Sequence, residues 1–134
     1  MMFSQGIAYC SNPKLGQFDV TLSRDKNQPG LYALQINTLQ LAQYGGNYVR
    51  IAIANEDLKF EELALNTLAT PGAPLYEGYL TAVQLQKFDL LVIAPFRGQN
   101  SSILSSVSQG DEAICDLPTT DNTTVNSGVP GKAI

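Results

Sequence analysis

Carboxylates are the side chains of this 134-residue sequence most suggestive of acid–base chemistry, and their spacing argues against it. Of the 12, six stand in adjacent pairs, at Glu56-Asp57, Glu61-Glu62 and Asp111-Glu112. Neighbouring positions on a helix do not face each other, so such pairs make poor acid/base dyads, and solvated charge is the expectation. Histidine is absent. That removes the commonest general base and metal ligand, and with them Ser-His-Asp and Cys-His catalysis and the His-bearing zinc sites. Arg97-Gly98 follows the most apolar run and could sit at the mouth of a sheet, where ligands often bind, but an ion pair with Asp89 or plain solvation is the expected role. No Gly-rich phosphate loop follows any expected strand. The sequence therefore predicts no catalytic residue, no metal site and no cofactor, and a protein that is not an enzyme.

Cys10 and Cys115 stand far apart and form no CxxC motif, which weighs against a metal or redox centre. They could join the two ends of the chain by a disulfide or remain two buried thiols. The start, Met1 to Gly6, has neither a positive n-region nor an apolar h-region, so no oxidising compartment is indicated. Buried free thiols are accordingly the expectation.

The elements that would position any site centre on Lys87 to Gly98, KFDLLVIAPFRG, whose run Leu90 to Ala94 is the densest apolar segment. Closed by Pro95 and Gly98 and lacking alternation, it suits a strand covered on both faces. Gln17 to Ser23 alternates cleanly, with Phe18, Val20 and Leu22 on one side and Gln17, Asp19, Thr21 and Ser23 on the other. Pro29-Gly30 fits the centre of a type II turn. In Leu31 to Leu41 the apolar parity switches after Ile36, and a bulge near Asn37-Thr38 would return Leu39 and Leu41 to the face of Leu34 and Ile36. Val49, Ile51 and Ile53 alternate with Arg50, Ala52 and Ala54, whose small side chains predict cover on the second face as well. These three strands are expected to form an antiparallel meander. Asn55 as a cap, with Phe60, Leu63, Ala64 and Leu68 at helical spacing, predicts a helix over about 56–68, a strand being the competing assignment. Tyr76 to Leu85 is a strand or a short helix.

The expected fold is mainly β, an antiparallel meander or sandwich-like body with about one short helix and extended terminal arms; an α/β fold is the alternative. The length suits one domain. Residues 1–16 read as an N-terminal arm, 17–116 as the body, and 117–134, rich in Thr, Asn and Gly, as an extended tail unable to pack on itself. Charged residues are only 15%, against about 25% in an average soluble protein. Of the net charge of −4, most lies beyond residue 97, where Lys132 stands against Asp111, Glu112, Asp116 and Asp121. No basic patch exists for phosphate, so direct nucleic-acid binding is not expected, nor is a membrane span.

Low charge, a β-rich body and polar ends without catalytic equipment resemble in design the small head-decoration or cement proteins of tailed bacteriophages, which bind the outer shell and stabilise it. The resemblance spans the chain through the arm Met1 to Gly16, the strand GQFDVTLS at Gly16 to Ser23 and the tail Thr119 to Ile134. It implies a non-enzymatic structural protein at the capsid surface of a virion, with shell or capsid subunits as partners, present as a symmetric homo-oligomer or in repeated copies, and with no small molecule. Isolated apolar groups in the two ends are the expected contacts: Phe3, Ile7 and Tyr9 in the arm, Val125, Val129, Pro130 and Ile134 in the tail. The runner-up is a cytoplasmic α/β ligand-binding or enzymatic domain. The tyrosines Tyr32, Tyr44, Tyr48, Tyr76 and Tyr79 suit either core edges or a binding face.

Overall fold

A computed structural model describes residues 5–42, 48–57, 59–67, 73–96 and 112–118. They form eight strands and one short helix: β1 (Gln5–Asn12), β2 (Gly16–Arg24), β3 (Leu31–Leu41), β4 (Tyr48–Ala54), β5 (Phe60–Thr67), β6 (Pro74–Thr81), α1 (Ala82–Lys87), β7 (Leu90–Pro95) and β8 (Ala113–Asp116). The strands make two four-stranded sheets, ordered β1-β2-β3-β6 and β5-β4-β7-β8, with every pairing antiparallel. The mainly β expectation with one short helix holds, and the α/β alternative falls. Although α1 precedes β7, the strands on either side of it belong to different sheets.

Between the sheets lie Phe18, Val20 and Leu22 of β2 and Leu34 and Ile36 of β3, clustered with Val49, Ile51 and Ile53 of β4 and Leu91 and Ile93 of β7. Each such buried side chain contributes about 1.5–3 kcal/mol relative to exposure, so the interleaved apolar faces hold the two sheets together. The run read as a doubly covered strand is β7, an inner strand of the second sheet with Leu91 through Pro95 all buried. Ala52, Ala54, Val92 and Ala94 form a second buried cluster with Phe60 and Leu90 against it, as the small partners on β4 predict.

The β2–β3 hairpin follows its turn chemistry. Leu31 N donates to Gln28 O at 3.1 Å across Pro29-Gly30, and Gly30 takes φ +88°, as the third position of a type II turn requires. Gly16 opens β2 at φ +127°, and a Cβ there would stand 2.1 Å from Gln40 O. Only glycine fits this crossing.

Several expectations need correction. The segment 56–68 is not a helix: β5 occupies Phe60–Thr67. The Asn55 side chain does accept from the amides of Asp57 and Lys59, at 3.0 and 3.1 Å, but Asn55 N bonds Lys59 O, so the polar cap closes a hairpin instead of opening a helix. Second, β4 does not continue the meander of β2 and β3; it crosses to the other sheet. Third, the bulge in β3 comes later than expected: Gln17 pairs Gln40 and Phe18 pairs Thr38, leaving Leu39 as the extra residue. Leu39 and Leu41 stay exposed, and Thr38 takes the buried place. Fourth, of the segment read as an arm, residues 5–12 are strand β1 of the body, with Ala8 and Cys10 in the core. Tyr76 to Leu85, where the sequence allows a strand or a short helix, is both: β6 passes into α1, whose N-cap Thr81 and Gln84 form a reciprocal capping box.

Two seams close the sandwich. At one, β5 meets β6: Asn66 Nδ2 donates to Leu75 O at 2.8 Å, and Gln84 Nε2 of α1 donates to the Glu61 carboxylate. At the other, β1 meets β8, where Asn12 Nδ2 donates to Glu112 O at 2.8 Å and Cys10 is disulfide-bonded to Cys115 with Cα atoms 5.1 Å apart. The expected pair of free thiols is thereby corrected. Strands from opposite ends of the chain become neighbours in space, a non-local fact that cysteine spacing does not carry. Leu117, which the sequence reading puts in the tail, is buried, and its amide bonds Asp89 O at 2.8 Å, so it continues the β7–β8 pairing and belongs to the body.

Candidate functional site

Strand alternation gives the first sheet an outer face made from the residues that the core does not use. Ile7, Tyr9 and Ser11 of β1 lie there, alternating with the buried Ala8 and Cys10. Register sets Ile7 beside Thr21, Thr21 beside Gln35, and Gln35 beside Glu77; one row along, Tyr9, Asp19 and Asn37 are neighbours. Tyr9 is 46% exposed, and Tyr79 on the far edge strand is 57% exposed.

Between these tyrosines runs a hydrogen-bonded chain of side chains. Asn37 Nδ2 donates to Asp19 Oδ1 at 2.9 Å, while Gln35 Nε2 reaches Glu77 Oε2 at 3.2 Å and Asn37 Oδ1 at 3.4 Å. The amides are thus held by their neighbours, and the row ends in a carboxylate at each side. A carboxylate accepts several hydrogen bonds and donates none when ionised. The face therefore offers acceptors and negative charge at its centre and aromatic surface at its margins, which suits recognition of amide or cationic donors. It contains no nucleophile paired with a base.

The remaining candidate chemistry is engaged elsewhere. Glu61, expected as solvated, takes the bond from Gln84, and Glu62 lies 3.8 Å from Arg50 Nε. The Arg50 guanidinium stands 5.1 Å over the Phe96 ring. Among the described residues no group of three His, Cys, Asp or Glu could hold a metal ion, and no helix is long and apolar enough to cross a membrane. A cavity of about 270 Å³ lies at the β1–β2 turn between Ser11, Asn12 and Pro13 and the strand ends at Gln17 and Gln40, with no ionisable side chain in its wall.

Of the residues expected to meet partners, Ile7 and Tyr9 share the outer face, two positions apart on one edge strand. Phe3, Val125, Val129, Pro130 and Ile134 lie outside the described residues, as do Arg97 and Tyr44. Tyr32 and Tyr76 pack against the core, whereas Tyr48 and Tyr79 are exposed. Burial raises the Tyr76 phenol above its usual value near 10. The row Asp19, Asn37, Gln35, Glu77 went unread in the sequence, because it is assembled from three strands; its trace was the polar half of the β2 alternation. No family model, curated protein or solved structure matches this chain.

Proposed function

We propose that this chain is a non-enzymatic structural protein that binds and stabilises a larger protein assembly, using the outer face of its first sheet. The observation that carries the reading is that face: exposed tyrosines flank a row of side chains locked by hydrogen bonds, beside an edge strand free of charge. Aromatic rings with a polar tip gain area at little entropic cost, and preorganised acceptors fix the orientation of a partner. The resemblance in design to decoration proteins of tailed bacteriophages supports a finer form of the proposal, a cement protein present in repeated copies on a capsid surface. Many modest contacts repeated by symmetry would then oppose separation of shell subunits. The acceptor-rich centre calls for a partner surface that presents backbone amides, Lys or Arg.

Sedimentation of particles and free proteins from the producing cells tests this reading. Wild-type chain is expected with the large assemblies. Tyr9→Ala and Glu77→Lys are expected in the free pool while melting within about 2 °C of wild type, since exposed substitutions change stability by only a few tenths of a kcal/mol. Wild-type protein recovered only in the free pool refutes it.

A further inference from the structure

The strand residues on the outer face of the first sheet include two carboxylates, Asp19 and Glu77, and no Lys or Arg; Arg24, which ends β2, has the parity of Leu22 and the core. Asp19 accepts its hydrogen bond from the Asn37 amide and Glu77 from the Gln35 amide. A neutral amide orients a carboxylate without neutralising it, so both negative charges are left for a partner to answer. The second sheet treats its acids differently, for Glu62 lies 3.8 Å from Arg50 Nε. Each acid of the first sheet also has an exposed tyrosine as its outer neighbour: Tyr9 stands opposite Asp19 across the β1–β2 ladder, and Tyr79 follows Glu77 by two residues on the same face of β6. A carboxylate beside an aromatic ring receives a Lys or Arg head group well, by its charge and by the ring quadrupole.

We infer that this face docks an extended basic segment of a partner protein, with one Lys or Arg at each of the two tyrosine–carboxylate corners. The inference deepens the assembly reading, on which it rests, by naming the chemistry of the partner. Asp19 and Glu77 lie two strands apart and, by way of their partners Asn37 and Gln35, two residues apart along β3. A strand spacing of about 4.8 Å and a rise of about 3.3 Å per residue put their Cα atoms about 12 Å apart. In an extended segment, residues an even number apart point the same way, and a separation of four spans about 13 Å. Two cations four residues apart therefore match the corners, whereas adjacent cations point to opposite sides and engage one corner at a time. Between the corners lie Gln35 and Asn37, polar groups that suit a passing backbone. A helix finds no seat here, since helix docking uses an apolar groove and the centre of this face is polar. Nucleic acid shares the sign of the face and is repelled.

The test is a titration of the full, oxidised chain with a Gly/Ser peptide bearing two arginines four residues apart, followed by heteronuclear NMR at about 20 mM salt, where screening is weak. Binding is expected with a dissociation constant of about 1 mM, the weak end of the affinity scale, and with the shifted amides on β2, β3 and β6. Asp19→Asn and Glu77→Gln keep an acceptor for Asn37 and Gln35 and remove one charge each, so each should weaken binding about threefold, as should Tyr79→Ser. A peptide with its two arginines adjacent should bind about threefold more weakly, and raising the salt to about 150 mM should weaken the spaced peptide severalfold. No saturable binding below about 10 mM, charge variants that bind like wild type, or adjacent arginines that bind as well as spaced ones overturns the docking. A tighter complex with a helical peptide of the same charge overturns the extended segment as the occupant. If the peptide does not bind while wild type still sediments with particles, the basic partner falls and the assembly reading stands. A chain that binds the peptide yet stays in the free pool keeps the docking face and removes the assembly reading.

Discussion

Reduction of the Cys10–Cys115 bond should cost this protein a large part of its stability. The bond closes a loop of 105 residues, most of the chain. In the chain-entropy treatment a loop of that length restricts the unfolded state by about 16 cal/mol/K, or about 4.8 kcal/mol at 25 °C. An unfolding entropy of about 2.1 cal/mol/K per residue gives a 134-residue chain about 280 cal/mol/K, so the melting temperature should fall by about 17 °C. Both sulfurs are enclosed, with Cys10 1% and Cys115 5% exposed, so a dithiol reaches them only after the β1–β8 seam opens. The protein is therefore unfolded in denaturant with excess dithiol, refolded with reductant present, and melted beside the oxidised form. Thiol titration of the oxidised protein in denaturant without reductant should find none. Two titratable thiols, or a loss below about 1 kcal/mol, would refute the staple and its calculated effect.

Three further perturbations probe the frame of the site. Gly16→Ala should cost roughly 2 kcal/mol or more, because it combines φ +127° with a Cβ 2.1 Å from Gln40 O, whereas Gly30→Ala, at φ +88° in open space, should cost about 1 kcal/mol; urea melts that reverse this order contradict the account. Thr38→Val should stabilise by about 1 kcal/mol, since the buried Thr38 Oγ1 has no hydrogen-bond partner and valine keeps its shape, and a destabilised variant would reveal an interaction missed by the geometry. The Tyr76 phenol is raised by desolvation, so the folded state holds its proton more tightly than the unfolded one. The associated stability is complete below about pH 10 and is lost as pH rises through the folded value; the decline in urea midpoint across this range should be shallower in Tyr76→Phe, and equal slopes would refute it.

Local chemistry made much of the fold legible. The alternation of β2, the Pro29-Gly30 turn and the small partners on β4 each state a nearest-neighbour demand that the structure meets. The helix expected over 56–68 fails because an Asn side chain accepting amide bonds serves a helix start and a hairpin turn equally well. A bulge then offsets β5 at Leu63, where Ile51 pairs Ala64 and Ala52 pairs Glu62, which blurs the two-residue period. β8 is too short for periodicity, although Ala113-Ile114-Cys115 alternates inward and outward. Which sheet β4 joins, and which strand Cys10 meets, depend on contacts across most of the chain. The site was half visible for the same reason: Ile7 and Tyr9 show as apolar groups in one segment, whereas the acceptor row exists only once β2, β3 and β6 are in register.

Strand register and the disulfide belong together mechanically. Among the described strands β1 has a backbone ladder with β2 alone, so its other side depends on side chains for its hold on the body. The even residues supply it: Ala8 is buried, Cys10 is bonded to β8 and Asn12 bonds Glu112 O. The odd residues Ile7 and Tyr9 point the other way, onto the outer face of the first sheet. Strand geometry alone separates anchor from contact, and a register slip of one residue would exchange them, bringing Tyr9 inward and turning Cys10 out of reach of Cys115. The covalent bond thus fixes the register on which the outer face depends, so that an uncharged strand able to slip becomes one that presents a single pattern of side chains.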